Sequence, residues 1–204
     1  MPIPFDAVVV GASLDGLRGM TMLLSTLPPD FPCPIVFVQH LASRSPSALA
    51  RILERKTRRP VRFAMDGQPL VPGWTHVAPP DCHLAIEVDR TFSLRSGPRV
   101  NHSCPAIDVL FKSAAQTFRE RLIAVILTGA SHDGAAGVRA VKASGGRVLV
   151  QNETRLPFAR MPLAAQETRC VDFVLPVPSI AQALVSFVMV PGAAAIFSTP
   201  PRLH

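Results

Sequence analysis

Leu122 to Leu127 is a run of six residues, Leu-Ile-Ala-Val-Ile-Leu, with no polar position. A strand sends successive side chains to opposite faces, so a run that is apolar throughout has no face to offer water. It belongs in the middle of a parallel sheet covered on both sides. The rest of the chain has the pieces to cover it. Ala7–Val10 and Ile35–Val38 are further short apolar runs, and each leads into a stretch of helical spacing, Leu17–Leu27 and Pro46–Arg55 respectively. Pro105 stands as a first-turn proline ahead of Ile107, Leu110, Phe111, Ala114 and Phe118, which recur on one helical face. After Leu127 come a turn, Thr128–Gly134, and a helix to about Ala143 that Gly145-Gly146 stops. A strand Val148–Val150, a helix Leu163–Thr168, a strand Val171–Val174 and a helix Ile180–Val190 complete the pattern. This alternation predicts an α/β fold: a doubly wound, mostly parallel sheet with helices on both faces. Val61–Phe63 is a weaker strand, and between Trp74 and Leu94 the texture changes. There His76-Val-Ala, His83–Val88 and Thr91–Leu94 read as a small antiparallel hairpin insertion.

With 204 residues, 48% hydrophobic and 17% charged, the chain has the composition of one folded domain rather than a disordered segment. We place that domain at 1–190 and read 191–204 as a flexible C-terminal tail. The longest apolar stretch, Ala183–Phe197, is 15 residues and is broken by Ser186, Pro191 and Gly192. That is short of the roughly 18 residues a membrane span requires. The N-terminus carries no basic start and apolar run of an export signal, so a cytoplasmic location is expected. Cys33, Cys82, Cys104 and Cys170 are scattered at spacings of 49, 22 and 66 and read as free thiols. Neither Cys82-His83 nor His102-x-Cys104 has the spacing of a zinc site, so no metal and no cofactor are expected.

The formal charge is +7, and 18 of the 21 basic residues are Arg, which suits an acidic partner. Nucleic acid is a poor candidate for it. The chain has no Tyr and one Trp for stacking, and the basic segment Arg51, Arg55, Lys56, Arg58, Arg59, Arg62 reads as a solvated helix end and loop.

In an open parallel sheet, functional groups lie beyond the carboxyl ends of the strands, at the point where the strand order reverses. Ala7–Val10 leads to Ser13, Ile35–Val38 to His40, and Leu122–Leu127 to Asp133. On neighbouring parallel strands these three would emerge at one edge as a nucleophile, a base and a carboxylate, the set an acyl-transfer triad needs. Taken alone, each has a plainer reading: Ser13 and Asp133 as helix N-caps, His40 as a polar strand end. The turn Gly11–Gly16 is not a dinucleotide fingerprint, because Ser13 stands where that motif needs its second glycine.

At these residues the sequence resembles the catalytic domain of bacterial chemotaxis protein-glutamate methylesterases, the CheB type. The likeness runs from about Val8 to Val190. It is carried in order by Gly11-Ala-Ser13, Gln39-His40, Ala78-Pro-Pro-Asp-Cys-His83-Leu84, Pro105-Ala-Ile-Asp108-Val-Leu-Phe-Lys-Ser113, Thr128-Gly-Ala-Ser-His-Asp133-Gly134, Gln151-Asn-Glu and Met161-Pro-Leu-Ala-Ala165. The resemblance implies hydrolysis of glutamate γ-methyl esters, often with glutamine deamidation, on the cytoplasmic helices of methyl-accepting chemotaxis receptors. It also implies Ser13, His40 and Asp133 as the triad.

Two turns depart from the family. Its usual Ser-Thr-Gly-Gly is here Ser13-Leu14-Asp15-Gly16, and its Gly-Met-Gly-x-Asp-Gly is here Gly129-Ala130-Ser131-His132-Asp133-Gly134. Ser131 in place of a glycine is expected to disfavour a positive φ there. Such changes keep open a second reading, a non-catalytic methylesterase-like module that docks on receptors or signalling partners. Typical members carry an N-terminal receiver domain. Here the first strand begins at Ala7, so activity without a phosphodonor is expected, with a separate receiver protein or receptor docking as the source of control.

Overall fold

The computed structural model describes residues 5–40, 47–57, 59–152 and 158–190. The tail expected at 191–204 lies outside these residues, as do Pro46 and Arg58. In chain order the elements are β1 (Ala7–Ala12), α1 (Gly16–Thr26), β2 (Ile35–Gln39), α2 (Ser47–Thr57), β3 (Val61–Phe63), β4 (Thr75–Val77), β5 (His83–Ile86) and β6 (Phe92–Arg95). There follow α3 (Ile107–Phe118), β7 (Leu122–Ile126), α4 (Ala135–Ala143), β8 (Arg147–Gln151), α5 (Arg160–Glu167), β9 (Phe173–Leu175) and α6 (Val177–Met189).

Seven strands form one sheet in the order β3-β4-β2-β1-β7-β8-β9, every pairing parallel. The apolar run at β7 is in the middle, as its lack of a polar face requires. Ile123, Val125 and Leu127 pack into one core layer, with Met20, Leu23, Leu24 and Leu184 of α1 and α6. Leu122, Ala124 and Ile126 pack into the other, with Leu110, Phe111, Val138 and Val141 of α3 and α4. Strand β1 divides the same way, Val8 and Val10 on the first face and Ala7 and Val9 on the second. The fold is therefore doubly wound.

The structure corrects the reading in three places. His76-Val-Ala is not part of the antiparallel insertion: Thr75–Val77 enters the main sheet as β4, parallel between β3 and β2, and only β5 and β6 form the antiparallel hairpin. A three-residue strand between two partners carries too short a pattern to reveal its direction. Pro105 is not in the first turn of α3. It precedes the N-cap Ala106 and follows a cis peptide bond from Cys104. The basic segment is not wholly solvated either, since Arg59 is only 2% exposed. Its guanidinium donates to the carbonyls of Pro28 at 2.9 Å, Gly73 at 3.1 Å and Phe31 at 3.3 Å, and lies over the Phe31 ring. It thereby ties the loop after α1 to the loop before β4. Arg62 lies 4.4 Å from the centre of the Trp74 ring. Cys33, Cys82, Cys104 and Cys170 are free thiols. Among the described residues no helix is long and apolar enough to cross a membrane.

The order of the strands sets up the site. From β1 the chain moves outward to β2 and the β3–β4 edge, then returns to the other side of β1 as β7 and moves outward again to β8 and β9. The carboxyl ends of β1, β2 and β7 thus meet at the switch point, where loops diverge to opposite faces and leave a crevice.

Candidate active site

Parallel register alone brings two of the three expected residues together. Ala12 pairs with Gln39, so the next positions along, Ser13 and His40, leave the sheet side by side. The His40 amide donates to the Ala12 carbonyl at 3.0 Å and the Ser13 amide to the Thr128 carbonyl at 2.9 Å, which extends both ladders past the last strand residues. Ser13 is not the N-cap of α1. That position is Asp15, and the Ser13 carbonyl accepts from Gly16. Among the described residues, the Ser13 hydroxyl has no hydrogen-bond partner. Gly129 lies directly against this serine: a Cβ on it would stand 2.8 Å from the Ser13 Cβ and would overlap the Met161 sulfur.

The third residue arrives from the turn after β7. Asp133 is 1% exposed, and its Oδ2 lies 2.8 Å from His40 Nε2. Four more donors converge on the same carboxylate. The Ile107 amide reaches Oδ2 at 2.6 Å, while Asn101 Nδ2 at 2.9 Å, the Gly134 amide at 3.0 Å and the Asp108 amide at 3.1 Å reach Oδ1. Two of these amides, those of Ile107 and Asp108, open α3, whose own N-cap Ala106 supplies no side chain. Asp133 therefore does act as a helix cap, but for α3 rather than for the helix that follows it. The positive end of that helix favours a carboxylate here. Burial works to raise the Asp133 pKa. The hydrogen bonds from His40, Asn101, Ile107 and Asp108 outweigh it and hold the carboxyl below the ordinary aspartate range. An ionised carboxylate only accepts, so Nε2 of His40 carries the ring proton and Nδ1 is the nitrogen left with a lone pair.

The structure brings in three residues that sequence reasoning missed. Gln39, 6% exposed, donates through Nε2 to the Ser13 carbonyl at 2.5 Å and the His40 carbonyl at 3.0 Å, so one side chain spans both strand ends. Asn101 bridges Asp133 and Asp108, and the Ser103 hydroxyl stands 3.4 Å from His40 Nδ1. The sequence marks Gln39 only as part of the Gln39-His40 likeness to the family, with no role, and leaves Asn101 and Ser103 in an undivided loop.

At the altered turns, the expectation for Ser131 agrees with the structure. Ser131 does not have a positive φ. Its hydroxyl instead accepts from the Asp133 amide at 3.2 Å, a short side-chain turn that a glycine could not make. Left-handed backbone occurs instead at Asp15, φ 60, in the first turn and at Gly134, φ 99, in the second. Beside Asp15, Leu14 is 51% exposed. A surface groove lined by Asp15, Arg18, Met22, Thr128 and Gln151 runs from this turn toward the start of α6.

Residues 8–184 match the family model described as CheB methylesterase. A Leptospira interrogans protein, whose name pairs protein-glutamate methylesterase with protein-glutamine glutaminase, is 42% identical over 181 residues, covering 89% of this chain and 94% of that one. A Thermotoga maritima protein named for the same two activities is 35% identical over 184 residues, which are 89% of this chain and 54% of its own length. The crystal structure of the Thermotoga maritima CheB methylesterase catalytic domain superposes with a TM-score of 0.87 at 34% identity, covering 90% of this chain and 99% of that one.

Proposed function

The chain belongs to the CheB methylesterase family and is a hydrolase of the protein-glutamate methylesterase class, and on that premise we propose that Ser13, His40 and Asp133 hydrolyse glutamate γ-methyl esters on the cytoplasmic helices of methyl-accepting receptors. The observation that carries this reading is the buried His40–Asp133 pair at 2.8 Å, formed one position beyond the strand pairing that sets His40 beside Ser13.

The chemistry runs as follows. The Ser13 hydroxyl attacks the ester carbonyl carbon and passes its proton to His40 Nδ1. The imidazolium that forms is stabilised by Asp133 through Nε2–H. The tetrahedral oxyanion needs N–H donors that are not already in use. The amides of Leu14 and Ala130 meet that condition, since neither has an acceptor among the described residues. A backbone donor survives a change of side chain, so the loss of the family's methionine at Ala130 leaves this donor in place. Collapse of the intermediate breaks the carbon–oxygen bond to methoxide, which takes the proton from His40 and leaves as methanol. Water, deprotonated by His40, then attacks the acyl-serine; the bond to Ser13 Oγ breaks, Oγ takes the proton back from His40, and the glutamate is released. A glutamine side chain would follow the same path with ammonia as the leaving group, in keeping with the second activity in the relatives' names.

The surplus of arginine suits an acidic receptor surface. The groove beside Ser13, with exposed Leu14 and the side chain of Met22, suits an apolar stripe on the same helix. Incubating the purified chain with receptor carrying radiolabelled methyl esters tests the reading directly. Methanol release that disappears in Ser13→Ala is expected. A wild-type chain that binds methylated receptor and releases no methanol would overturn it.

A further inference from the structure

Val100 and Ser103 exchange both backbone hydrogen bonds, at 3.0 and 2.9 Å, which makes the segment a two-residue hairpin turn. Its central residues, Asn101 and His102, have φ of 50 and 63, the positive pair that defines the tight primed turn. Asn tolerates that backbone because its short amide can bond locally. Here the amide is turned instead on two carboxylates. Asn101 Nδ2 donates to Asp133 Oδ1 at 2.9 Å and to Asp108 Oδ2 at 2.8 Å. Asp108 is itself buried and accepts the Gly137 amide through Oδ1 at 2.6 Å, which links it to α4. At the other end of the turn, Ser103 Oγ stands 3.4 Å from His40 Nδ1 and 3.5 Å from the Asn101 carbonyl.

We propose that the turn 100–103 is a positioning clamp on the His40–Asp133 pair, with Asn101 holding the carboxylate and Ser103 the imidazole. The proposal rests on the reading of that pair as base and orienting acid. Two buried carboxylates would repel one another without a shared donor, and the Asn101 amide is the group that supplies both with an N–H. It keeps the Asp133 Oδ1 lone pairs occupied, so that Oδ2 stays aimed at His40 and Ile107. Ser103 acts on the nitrogen that receives the proton. Its hydroxyl donates to the Asn101 carbonyl, so its oxygen faces Nδ1 without taking the lone pair that Ser13 needs. Once Nδ1 is protonated, that oxygen accepts a share of the N–H while the proton waits for the leaving group. The ring is thus held in one plane through the proton transfer. The clamp closes from one rigid turn, so the two side chains act in register with each other.

The other titratable or charged groups on the described elements packed around the pair are Asp108 on α3, Arg99 and His102 at the turn, His83 on β5 beneath the Ala106 amide, Cys104 after the turn, and His132 with the Arg160 that donates to it. None of these except Asp108 shares a hydrogen bond with Asn101, so removal of the amide is read mainly at the two carboxylates.

Asn101→Gly is the cleanest probe, because glycine keeps the positive φ while deleting the amide. Its kcat on methylated receptor is expected to fall about tenfold to a hundredfold, the size of a hydrogen bond to a charged group, with KM unchanged within about twofold. Asn101→Asp, which keeps the shape and replaces the donor with a third carboxylate, should fall further. Ser103→Ala should cost about threefold to tenfold in kcat. The second readout needs no turnover: the carboxyl 13C titration of Asp133 should move upward in Asn101→Gly.

A folded Asn101→Gly chain with wild-type kcat and an unmoved Asp133 titration overturns the clamp. So does a Ser103→Ala loss as deep as that of Ser13→Ala, which would make Ser103 the nucleophile. If the wild type releases no methanol while the Asp133 titration still moves up in Asn101→Gly, the clamp stands and the proposed activity fails.

Discussion

The two halves of the site are built to opposite standards. At the acid half, Asp133 is 1% exposed and takes five donors from four separate segments: His40 after β2, Asn101 in a tight turn, the first amides of α3, and the Gly134 amide of its own turn. At the half where we propose the nucleophile, the Ser13 side chain has no hydrogen bond among the described residues, and the turn that carries it continues into an exposed Leu14 and a left-handed Asp15. The acid half is part of the folding problem, because removing its carboxylate would orphan the N-terminus of a twelve-residue core helix. The nucleophile half is not. The division follows from chemistry: a carboxylate must be desolvated and fixed to orient an imidazole, whereas a nucleophile must stay free to reach a substrate.

The largest break in this comparison is in activity. Ser13→Ala and His40→Ala are each expected to lower kcat by about a thousandfold or more, because such residues work as a unit. Ser13→Ala should leave the thermal midpoint unchanged, since its hydroxyl holds nothing in the fold. Asp133→Asn should match the loss of turnover, as the amide presents the wrong group to Nε2. Unlike Ser13→Ala, it should also destabilise the chain by about 1–3 kcal/mol, because a buried charge-assisted set of hydrogen bonds is weakened. Calorimetry on the two variants separates the halves: equal midpoints would erase the distinction.

The same contrast has a pH signature. The Asp133 carboxyl is held below its unfolded value of about 3.9. Its stabilising contribution is therefore full above that value and is lost as pH falls through the lower native one. Acid unfolding of the wild type should show this loss. Asp133→Asn should flatten that part of the curve, and Ser13→Ala should leave it unchanged.

Gly129 sharpens the boundary between the halves. Gly129→Ala places a methyl group against the Ser13 Cβ and the Met161 sulfur and is expected to cost about 1–3 kcal/mol by overpacking. It should also displace Ser13, so that kcat falls while the Asp133 carboxyl titration stays where it is in the wild type. The smallest effect is expected at Asp15→Gly. Glycine takes the left-handed backbone at no steric cost, so stability should rise by up to about 1 kcal/mol. Removal of a negative charge beside the developing oxyanion should raise kcat a few-fold. A rise in affinity with flat kcat would assign the turn to substrate binding instead.

Much of this was readable in the chain itself. A strand with no polar face has to be central, and Leu122–Leu127 is divided between the two core layers as that argument requires. The parallel neighbours that follow from it carry Ser13, His40 and Asp133 to one edge. What the chain concealed depends on tertiary partners. Arg59 looks solvated until three carbonyls from distant loops are brought to it. Thr75–Val77 is too short for its pattern to tell a parallel strand from a hairpin arm. Taken alone, Asp133 has the plainer reading of a cap for the helix that follows it, but the helix it serves, α3, lies before it in sequence, which no local spacing can show. Asn101 and His102 form a primed hairpin turn without its usual glycine, so the clamp had no local signature.

The most direct test of the central claim is to identify which hydroxyl the pair activates. Two are candidates by position, Ser13 beside His40 in the sheet register and Ser103 at 3.4 Å from its Nδ1. The chain should be treated with a fluorophosphonate, digested and mapped by mass spectrometry. The account predicts one adduct, on Ser13, at a rate that collapses in His40→Ala and is slowed but retained in Ser103→Ala. An adduct on Ser103, or labelling of Ser13 that is indifferent to the loss of His40, would contradict it.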